Sequence, residues 1–134
     1  MYEFDSSSMQ AVIYNGTPYE VSVATIPKPT ILHPQDAIVS IRTAAICGTD
    51  MHIYHGLNAA ETPLELGHEG LGVVTQIGDA VEYRSVGDFV VIPDNVDSGH
   101  LNLDNPPWEV FGLGQGLGGL QGNGRPSRTF AILI

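Results

Sequence analysis

The pattern that most limits the fold is a succession of short apolar segments, each closed by glycine or proline. "AVIYN" at 11–15 ends at Asn15-Gly16, a hairpin signal, and "YEVSVATI" at 19–26 alternates with a period of two. "PKPTILHP" at 27–34 then interrupts with three prolines. "DAIVSIRTAAI" at 36–46 is the longest strand candidate, and "LGVVTQIG" at 71–78 and "VGDFVVIP" at 86–93 complete the set. Helical periodicity is almost absent; only "GTDMHIYHG" at 48–56 has the length for a helical turn or two. Five short strands with such punctuation predict a mainly β domain, a small barrel or sandwich.

At 134 residues, 43 % of them apolar, the chain has the size of one globular domain with a real core. Fifteen acidic against five basic residues give a formal charge of −10, which argues against nucleic acid or an anionic membrane as partner. No apolar run approaches the roughly 20 residues of a membrane span. The single cysteine, Cys47, excludes an intrachain disulfide, and "MYEFDSSSMQAV" is no signal peptide, so a cytoplasmic protein is expected.

The last third reads differently. Seven of the thirteen residues in "GLGQGLGGLQGNG", 112–124, are glycine, which predicts a loop. Gly114, Gly116 and Gly119 match Gly-x-Gly-x-x-Gly, but no strand leads in and no helix leaves, so a phosphate loop is not expected. The apolar end "TFAILI" is expected to form a closing strand or to pack against a second subunit.

Chemistry-bearing residues concentrate in "AAICGTDMHIYHG", 44–56, and "LGHEGLG", 66–72. Cys47 ends one strand candidate and His68 precedes another, so the two could converge at a barrel mouth with Glu69 beside them. Thiolate, imidazole and carboxylate form a zinc-ligand set, and a catalytic zinc keeps one position open. The alternative is structural: Cys47 as a small buried hydrophobe and His68 as a hydrogen-bonded turn residue. Asp50 could orient a ligating histidine, and Thr49 with His52 could relay a proton. Equally, Thr49 or Asp50 could cap the helical turn, with His52 and His55 exposed. Cysteine nucleophilic catalysis lacks a marked orienting group and oxyanion site. Paired-carboxylate chemistry would draw on Glu69, Asp88 and Asp94, but no spacing sets two of them across a cleft.

Those two motifs, with "VGDFVVIP", resemble the N-terminal GroES-like catalytic domain of the zinc-dependent medium-chain alcohol dehydrogenases, and in particular fungal alcohol and formaldehyde dehydrogenase-like members. The likeness covers residues 10–122, and Cys-Gly-Thr-Asp-x-His followed by Gly-His-Glu-x-x-Gly is highly specific. It implies a GroES-like, partly open β-barrel with short helical turns. It further implies that Cys47 and His68 ligate the catalytic zinc, that Glu69 lies beside the metal as an occasional ligand, and that Asp50 supports the ligating histidine. Thr49 would contact the substrate hydroxyl and His52 would belong to the proton relay. Gly67, Gly72, Gly78 and Gly87 would shape turns of the barrel, with Asp88 in one of them.

Three departures qualify the likeness. The family's nicotinamide binds a Rossmann domain that follows this one, a further zinc ligand comes from beyond residue 134, and "PDNVDSGHLNLDNPPWEVFGLG" stands where a four-cysteine zinc lobe would lie. The expectation is therefore a truncated GroES-like domain over 1–134 with an atypical tail at 123–134. Zinc would be its cofactor and NAD(P) would not be bound by the isolated chain. Its expected chemistry is redox-neutral acid–base or metal-assisted work (isomerisation, dehydration or cyclisation) on a small organic substrate. The alternatives are a docking domain, an inactive remnant, or a dehydrogenase fragment needing the missing domain. A homodimer or a partner protein is expected over the exposed interdomain face, with Trp108, Phe111 and the apolar tail as its cover.

Overall fold

The computed structural model describes residues 7–31, 33–57, 62–92, 95–96, 109–110 and 131–133. Three small sheets and one short helix make up the described fold. In the first sheet β1 (Ser8–Tyr14) is flanked by β2 (Ser22–Pro27) and β4 (Leu64–Glu65), both antiparallel to it. In the second, β5 (Gly70–Ile77) lies between β3 (Ala37–Ala44) and β6 (Phe89–Ile92), and β9 (Ala131–Leu133) joins the free side of β3 in parallel. The third is the pair β7 (Asn95–Val96) and β8 (Glu109–Val110). Helix α1 (Gly48–Tyr54) follows β3. No described helix is long and apolar enough to cross a membrane.

All five predicted strands and the helical turn are present. The strand expected at 11–15 starts earlier, at Ser8, because Ser8–Pro27 and Met9–Ile26 extend the ladder on the polar side of the periodic run. Asn15-Gly16 does not close a two-residue hairpin. Gly16 does adopt φ +93°, but the β1–β2 connection runs on to Val21. Residues 64–65 were not expected as a strand; β4 is too short to carry a period and exists because Ile13 and Tyr14 pair with Glu65 and Leu64. The closing-strand expectation for the apolar tail agrees with the parallel pairing of Ile38, Val39 and Ser40 with 131–133. The glycine-rich 112–124 segment, Trp108, Phe111 and Asp94 lie outside the described residues.

Burial on β3 is two-sided in its first half, where Ala37, Ile38 and Val39 are buried in succession. On β3, Ile38 and Val39 are buried at the centre of the second sheet with Val74 of β5. A smaller cluster, Tyr14, Ile53, Leu64 and Leu66 with Val12 against it, fastens α1 to the first sheet. Ile53 is fully buried and is the helix's anchor. Gly72 corrects the expectation that each motif glycine shapes a turn, since it sits mid-strand. A Cβ there would lie 2.3 Å from the Ser40 carbonyl oxygen and 2.9 Å from Ile41 Cα, so only glycine lets β5 approach β3 so closely. Gly87, with φ of +99°, does occupy a turn, and Gly67, with φ of +115°, lies in the connection between β4 and β5.

Candidate metal centre

The site is assembled by the β3–β5 register. Ala44 pairs with Gly70, and the Ala45 N–H donates to the Glu69 carbonyl at 3.3 Å. The segment leaving β3 therefore runs beside the segment entering β5, so residue 47 meets residues 68 and 69. Ligand atoms of Cys47, His68 and Glu69 all lie within 4.8 Å of one another. His68 is buried, Cys47 is half-buried and Glu69 is exposed, which leaves the group open on one side.

Asp50 ties this arrangement together. Cys47 is the N-cap of α1 and Asp50 its third residue, and the pair form a capping box. The Cys47 N–H donates to Asp50 Oδ2 at 2.9 Å. The other oxygen, Oδ1, lies 3.2 Å from His68 Nδ1. Both of these atoms are buried without a well-aligned hydrogen bond, so the contact is an ion-pair distance lying off the N–H direction. With Nδ1 against a carboxylate, Nε2 is the nitrogen left for a metal, the orientation that carboxylate–histidine–metal triads use.

The surroundings of Cys47 make its thiol more acidic. The Thr49 backbone N–H, then the His68 imidazole and the Thr49 hydroxyl, draw its pKa below the ordinary thiol value, against a smaller opposing effect of burial. Thr49 Oγ1 and Cys47 Sγ stand 3.7 Å apart, within hydrogen-bonding range for sulfur. The donor set fits zinc: bonds of roughly 2.0–2.3 Å require donors within roughly 4 Å of each other, a small contraction from the separations present.

Among the described residues no other group of three metal-binding side chains converges. His52 and His55 join no such cluster; His52 is exposed on α1 and His55 is half-buried at its end. The Asp88 carboxylate is engaged in a turn, its Oδ2 accepting the Ser85 N–H at 2.9 Å. The expectation that Thr49 or Asp50 would be the N-cap gives way to Cys47, with Asp50 as the reciprocal partner.

Sequence reasoning did not anticipate the apolar cleft next to this centre. It encloses about 330 Å³ between Val12, Val21, Ile46, Met51, Tyr54 and Leu66, with Asp50 on its wall. Ile46, just past the end of β3, is 79 % exposed.

The Cys-Gly-Thr-Asp and Gly-His-Glu segments that build this geometry lie within a match to the family model "Alcohol dehydrogenase GroES-like domain", which covers residues 33–124. The chain belongs to that family. It is 41% identical over 99 residues to a zinc-type alcohol dehydrogenase-like protein of Schizosaccharomyces pombe, covering 72% of this chain and 23% of that protein. It is 39% identical over 100 residues to the glutathione-independent formaldehyde dehydrogenase of Pseudomonas aeruginosa, covering 70% of this chain and 25% of that enzyme. Among solved structures, alcohol dehydrogenase TADH from Thermus sp. ATN1 superposes with a TM-score of 0.71 at 34% identity, over 85% of this chain and 35% of that one. The chain thus spans about a quarter of the length of the curated relatives it matches. The GroES-like fold, mainly β and without a Rossmann unit in the described residues, is that of an alcohol dehydrogenase-like domain.

Proposed function

We propose that this domain binds one zinc ion through Cys47, His68 and Glu69 and uses it on the C–O group of a small organic alcohol, aldehyde or ketone. The observation that carries the reading is the convergence of those three donors within 4.8 Å, with Asp50 holding both Cys47 and His68. When bound, zinc supplies Lewis acidity that polarises a carbonyl or acidifies a hydroxyl. The chain's own residues supply the rest. Asp50 fixes the imidazole, Thr49 offers a hydroxyl to the substrate oxygen, and His52 on the exposed face of α1 passes the proton to solvent. Glu69, exposed at the rim, is the general base and a replaceable ligand.

Within this chain the chemistry is redox-neutral proton transfer next to a polarised carbonyl, as in isomerisation or dehydration. Hydride transfer, the reaction class named for the relatives, would require a nicotinamide dinucleotide held by another polypeptide unit, because the described residues contain no βαβ unit to cradle one. The exposed Ile46, Met51 and Val21 are the face on which we place a homodimer or partner contact.

Both chemistries are tested together. Zinc-loaded protein in deuterium oxide is incubated with small aldehydes and hydroxyketones while exchange at the α-carbon is followed by proton NMR. A parallel sample with alcohol and NAD+ or NADP+ is followed at the absorbance of the reduced nicotinamide. Zinc-dependent α-exchange, lost in Glu69→Gln, supports the redox-neutral reading. Nicotinamide reduction by the chain alone would replace it with a dehydrogenase, and neither signal would remove the catalytic assignment.

A further inference from the structure

The β1–β2 connection is tied to the far end of α1 through one residue. Tyr19 has φ +65°, the left-handed region that a side chain with a Cβ rarely adopts. Its ring is largely exposed, so core burial does not hold it there. It meets the end of α1: the Tyr19 N–H donates to the Tyr54 carbonyl at 2.7 Å, and its ring meets Tyr54 edge-on with centroids 5.7 Å apart and the C-cap His55 at 5.2 Å.

The helix end explains why that bond is needed. α1 finishes in a Schellman motif: the Leu57 N–H donates to the His52 carbonyl at 2.9 Å and the Gly56 N–H to the Ile53 carbonyl at 2.8 Å. The Tyr54 carbonyl is left over, and Tyr19 takes it. Gly56, at φ +73°, lies so close to the turn that a Cβ would approach Pro18 Cγ to 2.7 Å. A helix of seven residues is too short to persist alone; Ile53 anchors its middle in the core, and separate contacts grip its two ends. Asp50 grips the N-terminal end, where Cys47 stands; Tyr19 grips the other.

We propose that Tyr19 is a positioning residue for Cys47. By clamping the C-terminal end of α1 it keeps Sγ facing His68 before any metal arrives, so that metal binding orders nothing. The strained turn is retained because it places the amide and the ring on the helix end at once. This inference rests on the zinc reading given above.

The test is a cobalt(II) titration of the full chain in wild type, Tyr19→Gly and Tyr19→Phe, with circular dichroism of each. Glycine keeps the positive φ and the amide but removes the ring; phenylalanine keeps both. The expected result is native circular dichroism throughout and cobalt affinity weakened about 3- to 10-fold in Tyr19→Gly, the range of indirect coupling. The thiolate-to-cobalt charge-transfer band should also weaken in Tyr19→Gly, with Tyr19→Phe matching wild type on both readouts. Unchanged affinity and band in Tyr19→Gly would overturn the inference, as would failure of phenylalanine to restore them. If Tyr19→Gly does not fold, His55→Ala, which removes the 5.2 Å ring contact, is read in the same way. If wild type takes up no cobalt, the zinc reading fails, and amide exchange decides the positioning. Faster exchange at Cys47 in Tyr19→Gly, with β3 unchanged, upholds it; equal exchange overturns it.

Discussion

Asp50 and His68, eighteen positions apart, meet at 3.2 Å inside the protein, while the second oxygen of the same carboxylate holds the Cys47 amide at 2.9 Å. One side chain thereby joins the start of the helix, where the thiol stands, to the β4–β5 connection that carries the imidazole. Asp50→Asn should lower zinc affinity by about 10- to 100-fold, the usual effect of removing a carboxylate behind a ligating histidine. The helix should persist, because an amide oxygen still accepts the Cys47 N–H. Competition against a chromophoric chelator measures the affinity; an unchanged value would mean the contact is packing alone.

Thr49 offers a way to separate the causes of the acidified thiol. The Thr49 backbone N–H acts most strongly on Cys47, and its hydroxyl and His68 add to it. Alkylation of the metal-free protein should therefore rise with pH at an inflection below the ordinary thiol value. Thr49→Val keeps the amide and removes the hydroxyl, so the inflection should move up only part of the way. His68→Ala should move it up as well. A wild-type inflection at or above the ordinary thiol value would contradict the geometry.

Gly72 predicts a stability effect unrelated to chemistry. Alanine there meets the backbone of β3 at Ser40 and Ile41, which has no rotamer to yield. Gly72→Ala should destabilise by at least about 1–3 kcal/mol, the range for overpacking, seen as a fall in denaturant midpoint. Because β3 and β5 set the site, metal affinity should fall with it. A midpoint within error of wild type would show that β5 can shift without loss.

Glu65 gives a pH-dependent prediction with a definite sign. Burial raises its carboxyl pKa, so the folded chain binds this proton more tightly than the unfolded chain does. Stability contributed here is present at low pH and is lost as pH rises from the ordinary glutamate value through the raised one. Glu65→Gln removes that loss, so its melting temperature should exceed that of wild type at neutral pH and converge with it in acid. A variant less stable than wild type at neutral pH would contradict the burial effect.

The legible parts of the fold were those with a local pattern. β2 is legible from its alternation, β3, β5 and β6 from short apolar runs closed by glycine or proline, and the Cys47–His68 encounter from two strand ends that could converge. What local pattern does not encode was missed. Two-residue β4 exists only through its partner β1, and Gly72 looks like a turn glycine until the β3 backbone is set beside it. Tyr19 was invisible for the same reason: nothing local favours a positive φ at a tyrosine, and only the leftover carbonyl of Tyr54 accounts for it. The Cys-Gly-Thr-Asp segment was ambiguous between cap and ligand set because Asp50 serves both purposes.

The most direct test of the central claim is the metal content of the purified, untagged chain, measured by inductively coupled plasma mass spectrometry alongside Cys47→Ser and His68→Ala. The account predicts about one zinc per chain in wild type, a large loss in either variant, and circular dichroism unchanged among the three. A wild-type chain that stays metal-free after incubation with zinc, or variants that keep their zinc, would contradict it.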